Sequence, residues 1–494
     1  MATRNVSVWK SVDWTIIVLY LILVVCGWFS VCGASYTYGE VDFFSFDSRA
    51  GKQLVWIGCS FGLGFILLML EEKLYDAFAY VIYIGMILLL LVTIFIAPDT
   101  KGSRSWLVLG PVSLQPAEFA KFATALALAK FMNSYSFSIH KWKDALLLVL
   151  LILLPMCLII MQKETGSALV YIAFFLVLYR EGMPGAILFM GVCAILYFIL
   201  SVRYGEVCVG GMGVNAGELL VLSLIVVFAC SMVWVYCKRS KVGFRFMGWC
   251  ALVAGIGAAV SYWWHPFHLS YVLWGICAFL VIAFLYFSVA RRSRNFALIA
   301  LFIAGSAGFL YSSDYVFNKV LQPHQQVRIK VLLGMEEDLA GAGYNVNQSK
   351  IAIGSGGVFG KGFLNGTQTK LKYVPEQDTD FIFCTVGEEQ GFVGASAVLL
   401  LYLAFILRLV VLSERQYDTF GRVYGYSVAS IFLFHLFINV GMVLGLTPVI
   451  GIPLPFFSYG GSSLWGFTIL LFIFLRIDAS RGEQIQRSKR MPMS

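Results

Sequence analysis

The sequence predicts an all-α polytopic membrane protein, and three observations carry that prediction. Of its 494 residues 60% are hydrophobic and only 13% charged, with a mean hydropathy of +0.82, outside the range of a soluble domain. Runs of about 18 or more apolar residues, long enough to cross a bilayer as helices, recur along the whole length. Basic residues crowd alternate connections between those runs, such as Lys238 to Arg245 and Arg291 to Arg294. That asymmetry orients membrane helices.

Taken in order, roughly fourteen spans are expected. They lie near 12–32, 54–70, 77–97, 117–133, 143–161, 166–180, 184–203, 217–236, 246–263, 267–288, 295–312, 382–411, 421–446 and 461–477. The first run is long and lacks a small-x-small cleavage site, so it is expected to stay as a membrane anchor. The first seven spans have short connections and should pack as one antiparallel bundle over 1–203. Residues 204–294 change character, with Gly210, Gly211 and Gly213 in a loop and aromatic span ends such as Tyr262, Trp263 and Trp264. They read as accessory or inserted membrane helices, with the aromatics as interfacial belts. A core helix (295–312), a large polar loop (313–380), C-terminal helices (381–477) and a basic tail (478–494) follow.

The net charge of +9 is informative by position. Clusters at 238–245, 291–294, 408–422 and 476–490 predict cytoplasmic loops and place both termini inside. The 33–53, 97–116 and 313–380 loops are then expected outside. Nucleic acid is not expected as a partner, because short juxtamembrane clusters account for the basic residues. Membrane lipids, including polyanionic headgroups of the inner leaflet, are the expected neighbours. The 11 cysteines form no framework, most of them lying inside apolar spans, and the five histidines are scattered, so no metal-ligand set is read from them.

The polar loop carries the candidate chemistry. It ends in Val-Pro-Glu-Gln-Asp-Thr-Asp-Phe-Ile-Phe (374–383), which sets Asp380 at the first turn of a long apolar helix. A carboxylate there either caps the helix or acts as a general base on a lipid-linked substrate. Within the loop, 325–329 begins a short surface helix and 347–353 reads as another, ended by Gly-Ser-Gly-Gly (354–357). Glycines there and at 360 and 362 would let N–H groups face an anion. Arg328, Lys361 and Lys370 are the cations expected to meet a phosphorylated ligand.

Glu118 and Lys121 share a helix face in Leu-Gln-Pro-Ala-Glu-Phe-Ala-Lys, either as a structural ion pair or as the polar floor of a substrate cavity. Glu164 is a third acid expected near the same level. Glu388 and Glu389 are expected to pack against basic groups. Trp106 is either an interfacial anchor or a contact to sugar or lipid. The Pro- and Gly-containing 454–463 segment, with Ser458 as a candidate substrate contact, suits a broken or re-entrant element lining a cavity.

Together these strings, with Gln-Lys-Glu-Thr-Gly-Ser-Ala-Leu and Gln-Ser-Lys-Ile-Ala-Ile-Gly-Ser-Gly-Gly, resemble the SEDS family (shape, elongation, division and sporulation) over about residues 12–203 and 295–477. The run 360–368 is similar to the RodA elongation branch rather than the FtsW division branch. The resemblance implies a bundle of about ten core spans, here with four extra. It implies a peptidoglycan glycosyltransferase acting on the extracytoplasmic side of the bacterial cytoplasmic membrane. The family's essential acid falls on Asp380, its functional tryptophan on Trp106 and its buried Glu/Lys pair on Glu118 and Lys121.

This chain departs from the family pattern at Asp378, Ser105 and Lys163-Glu164, where His, Arg and Pro-Asp are usual. The implied substrates are lipid II and the nascent lipid-linked glycan. A divalent cation, Mg or Mn, would assist, no organic cofactor is expected, and the implied partner is a class B penicillin-binding protein (a transpeptidase). Two other readings remain: a flippase for lipid-linked precursors, and a scaffold that only positions a partner.

Overall fold

A computed structural model describes residues 8–36, 43–100, 102–110, 112–205, 207–209, 214–238, 240–263, 267–321, 323–335 and 342–488. Among the described residues, 12 helices are long and apolar enough to cross a membrane. Two shorter segments complete the expected set. Pro116–Met132 is alanine-rich and starts with proline at its first turn, where a missing N–H leaves no hydrogen bond unmade. The other begins at Thr165–Leu169, tightens to a 3₁₀ turn at Val170–Ala173 and resumes as Phe174–Arg180.

The chain packs as two compact units, 1–183 with 344–494, and 184–343, each with its own apolar core. The second unit is wider than the inserted block read from the sequence, and the 313–380 loop is divided between the two. Arg294–Tyr315 runs on through a wider turn at Val316–Val320, followed by the helix Pro323–Leu332 in the second unit. Ala342–Ser355 belongs essentially to the first. Gly210, Gly211, Gly213, Arg239, Trp264 and Gly341 lie outside the described residues, as do parts of the terminal segments and the 33–53 and 97–116 loops.

In the first unit the most enclosed helices are Pro116–Met132, Thr419–Leu444 and Gly461–Ser488. Alanines at 117, 120, 123, 125, 127 and 129 are buried, and such small side chains let helix backbones approach. One end of the unit is tied by ion pairs. Arg408 meets Asp13 at 2.5 Å, Arg422 meets Glu181 at 2.9 Å and Arg180 meets Glu414 at 2.7 Å, while Arg415 pairs with Asp478. Asp13 also caps Trp14–Ser35 by accepting from the Ile16 N–H at 3.1 Å. Asp380 stands at the other end of the long helix Ile382–Glu414.

That helix is broken at Gly391 (φ +66°). The glycine-rich loop repairs the break. Lys361 and Gly362 donate their N–H groups to the Glu388 and Glu389 carbonyls at 3.0 and 2.9 Å. Phe392 and Val393 donate theirs to the Gly357 and Val358 carbonyls at 2.9 and 3.1 Å. A Cβ on Gly360, itself at φ +77°, would stand 2.1 Å from the Glu389 carbonyl oxygen. Gly360→Ala is therefore expected to lower the thermal unfolding midpoint, by an overpacking cost of about 1–3 kcal/mol. A wild-type midpoint for the purified variant would contradict this account of the loop.

Candidate active site

The site is assembled on the connection between Thr419–Leu444 and Gly461–Ser488. From Ile452 to Gly460 this connection is bonded repeatedly to other elements. Asn439 donates from Nδ2 to the Ile452 carbonyl at 2.7 Å and to the Asp380 carbonyl at 2.8 Å. Ser458 donates to the Thr379 carbonyl at 2.6 Å and accepts from the Leu454 N–H at 2.8 Å. The Tyr459 N–H reaches the Asp378 carbonyl at 2.8 Å. The 374–380 turn is thus zipped to 451–459, and Asp380 is held half-buried against Gly451. Its Oδ2 lies 3.2 Å from where a Gly451 Cβ would stand.

Beside this turn opens a cavity of about 760 Å³, lined in part by Tyr36, Arg49, Lys372, Glu376 and Asp378. Its lining stops at Asp378, two residues short of Asp380. Asp378 is buried and accepts from the Arg49 guanidinium, which also lies 5.8 Å from the centre of the Tyr459 ring. Gln377 donates to the Ala34 and Thr369 carbonyls at 2.7 and 2.8 Å, tying the turn to the first helix. Lys370 lies 5.2 Å from the centre of the cavity-lining Tyr36 ring.

A second polar set lies within the bundle. Lys121 and Glu118 are each 2% exposed, with Nζ and Oε2 2.7 Å apart. His435 Nδ1 donates to the Pro453 carbonyl at 3.1 Å, so its Nε2 holds the lone pair that accepts from Lys121 at 3.0 Å. Through Pro453 the pair is joined to the connection against which Asp380 is held. Glu164 takes a third position. It accepts from Ser105 Oγ at 3.0 Å, and Arg104 N–H reaches the Gln162 carbonyl at 3.0 Å, pinning the outer loop to this corner. Burial raises the Glu164 carboxyl above its ordinary value, against the opposing hydroxyls of Ser105 and Ser103. Trp106 follows directly and is half-buried. A Cβ on neighbouring Gly166 would stand 2.8 Å from the Ile450 carbonyl oxygen, so this corner abuts the same connection.

Two expectations for individual residues need correcting. Lys361 does not face a ligand: its ammonium donates to Ser355, Thr367 and Glu388 at 2.8, 2.7 and 2.8 Å. The kink brings fully buried Glu388 to the loop, where it also accepts from the Gln368 and Thr369 N–H groups at 2.9 Å each. The amides of Lys361 and Gly362 mend a broken helix, and those of Leu364, Gln368 and Thr369 hold the protein's own Glu389 and Glu388 carboxylates. Ser458 is likewise committed to backbone groups on both sides. Arg328 lies on Pro323–Leu332 in the other unit, and its side chain is outside the described residues. Sequence reasoning missed Arg49, His435 and Asn439. The signal for the last two was a pair of polar residues four apart, on one face of a single apolar span.

Among the described residues no three His, Cys, Asp or Glu side chains gather as a metal site. Asp378, the nearest acid in the chain to Asp380, is engaged by Arg49. The donor set does not fit a cation cage.

A family model, FtsW/RodA/SpoVE, described as a cell cycle protein, matches residues 13–209 and 208–483. The chain belongs to this family. It is 33% identical over 439 residues to the peptidoglycan glycosyltransferase RodA of Treponema pallidum (strain Nichols), covering 87% of this chain and 89% of that one. It is 30% identical over 400 residues to the peptidoglycan glycosyltransferase MrdB of Escherichia coli (strain K12), covering 81% and 77%. The fold is similar to the crystal structure of Thermus thermophilus RodA (TM-score 0.54, 22% identity, 97% and 99% of the two chains covered). It is also similar to a chain from a peptidoglycan synthase complex solved to explain coordinated polymerization and crosslinking (TM-score 0.61, 23% identity, 95% and 98% covered). At these identities the solved structures establish the shared fold.

Proposed function

We propose that this member of the family is a RodA-like peptidoglycan glycosyltransferase that joins lipid II units into β-1,4-linked glycan for cell elongation. One observation carries the catalytic assignment: a half-buried carboxylate, Asp380, is held by backbone bonds at the head of a membrane helix, beside a cavity whose polar walls carry Arg49 and Lys372 together with Asp47, Glu376 and Asp378. Asp380 takes the proton from the 4-hydroxyl of the acceptor N-acetylglucosamine. The oxygen attacks the anomeric carbon of the growing chain, a new C–O bond forms with inversion, and the bond to undecaprenyl pyrophosphate breaks with its electron pair. Arg49, Lys370 and Lys372 are the cations placed to meet the leaving charge, which preorganised groups stabilise without reorganising.

The family relatives support this reading: they are named as peptidoglycan glycosyltransferases. We take the reaction to occur on the extracytoplasmic face, from the charge asymmetry of the loops. A class B penicillin-binding protein is the partner we propose, supported by the fold shared with a chain of a complex that couples polymerization to crosslinking. Purified protein supplied with lipid II should yield glycan polymer. Lipid II flipped in liposomes with no polymer formed would favour the transporter reading instead.

Asn439 acts through Asp380, so it is a positioning residue. Asn439→Ala frees the Asp380 and Ile452 carbonyls from their shared donor, and each unmade buried bond costs about 1–3 kcal/mol. We expect kcat for polymerisation to fall about tenfold or more with KM little changed, since misplacement of the base affects the chemical step. A raised KM at wild-type kcat would show that Asn439 serves binding instead.

A further inference from the structure

We propose that the 184–343 unit holds a binding site for one anionic glycerophospholipid, in the groove between Ser240–Trp263 and Leu269–Ala290, with Arg245 on the phosphate. The groove encloses about 700 Å³ and is lined by Arg245, Trp249 and Val253 from one helix and Val272, Gly275 and Phe279 from the other. Spacings of four along the first helix, and of three and four along the second, put each trio on a single face. Gly275 leaves the floor open, with nothing within 4 Å of where its Cβ would stand. Trp249 and Phe279 remain 68% and 59% exposed as its walls.

The charge distribution selects the headgroup. No Asp or Glu occurs between Glu218 and Asp314, whereas Lys238, Arg239, Lys241, Arg245, Arg291, Arg292 and Arg294 all fall in that interval. Apart from Arg239, which lies outside the described residues, the helices bring these basic positions to one end. Asn295 donates to the Tyr236 carbonyl at 2.8 Å, and the Phe246 and Phe287 rings lie 6.0 Å apart. The acids stand at the other end. Glu218 is in the first turn of Ala216–Cys237, where it accepts from Trp274 Nε1 at 2.7 Å, and Asp314 is near the end of Arg294–Tyr315. Arg245 therefore has no carboxylate beside it on these four helices. The Arg291 guanidinium lies 5.0 Å from the centre of the Phe287 ring, which adds a second cation near the head of the groove.

An amphiphile with a phosphate at its head satisfies both features at once. Its acyl chain fills the apolar trough, and its phosphate accepts the planar guanidinium fork. Arginine at a span end reaches such a headgroup with its stem laid along apolar surface.

The test uses purified full-length protein in nanodiscs of phosphatidylglycerol and phosphatidylcholine with equal chains, and counts retained lipid by native mass spectrometry. Wild type should keep phosphatidylglycerol in preference to phosphatidylcholine. Arg245→Gln should lower phosphatidylglycerol retention about fivefold, the worth of one basic side chain at an anionic headgroup. Gly275→Leu, which fills the floor, should lower it as well, and Lys143→Gln in the other unit should not. Arg245 is exposed, so its variant should elute as the wild-type species. Equal retention of the two headgroups by wild type, or wild-type retention by either groove variant, would overturn the proposal.

Discussion

Asp380→Ala should leave a folded protein that polymerises lipid II about 10²–10⁴-fold more slowly, the usual contribution of a positioned general base. The sugar hydroxyl is a poor nucleophile until its proton is removed as the new bond forms. Two other carboxylates, Asp47 and Glu376, line the cavity beside this turn, and neither is held at the head of Ile382–Glu414 as Asp380 is. Asp378 is paired with Arg49, and Glu388 and Glu389 are tied to the 361–369 loop. The substitution keeps the bonds that fix this turn through the Asp380 and Thr379 carbonyls and the Gln377 side chain. Fold and rate should therefore separate: elution and unfolding midpoint near wild type, turnover nearly gone. A variant that unfolds on purification would show instead that Asp380 holds the connection together.

The largest effect on stability is expected at Lys121→Met. Removing the ammonium leaves the Glu118 carboxylate deep in the bundle without its partner 2.7 Å away, and deprives His435 Nε2 of its donor. Breaking one side of a buried pair costs about 3–5 kcal/mol, because an uncompensated charge remains. The double substitution Glu118→Gln with Lys121→Met removes both charges and should recover part of that loss. Unfolding midpoints in detergent for the two single variants and the double variant decide the matter. A single variant as stable as wild type would show that the pair is not a structural tie between Pro116–Met132 and Thr419–Leu444.

The membrane architecture was legible because length and apolarity are local properties. Twelve helices stand where continuous apolar runs predicted them, and the two shorter ones are alanine-rich or interrupted by a tighter turn. Asp380 was legible for a related reason: an acid at the border of an apolar run is conspicuous without any knowledge of folding. The supporting residues were not, because their partners are distant in the chain. His435 meets Lys121 across 314 positions, and Arg49 meets Asp378 across 329.

Lys361 misled for the converse reason. Nearness in sequence to Asp380 suggested a shared task, yet the break at Gly391 turns the helix backbone toward the glycine loop and sets Glu388 against Lys361. The loop's glycines signalled close backbone approach correctly, but the approaching group is the protein's own helix.

The most direct measurement of the central claim is the rate of lipid II polymerisation against pH, by wild type and by Asp380→Asn, each shown to be folded at every pH used. If Asp380 removes the proton, the wild-type rate falls on the acid side with the loss of one ionised group. The asparagine variant should be slow throughout and lack that limb. An asparagine variant with wild-type rate, or with the same acid limb, would contradict the account.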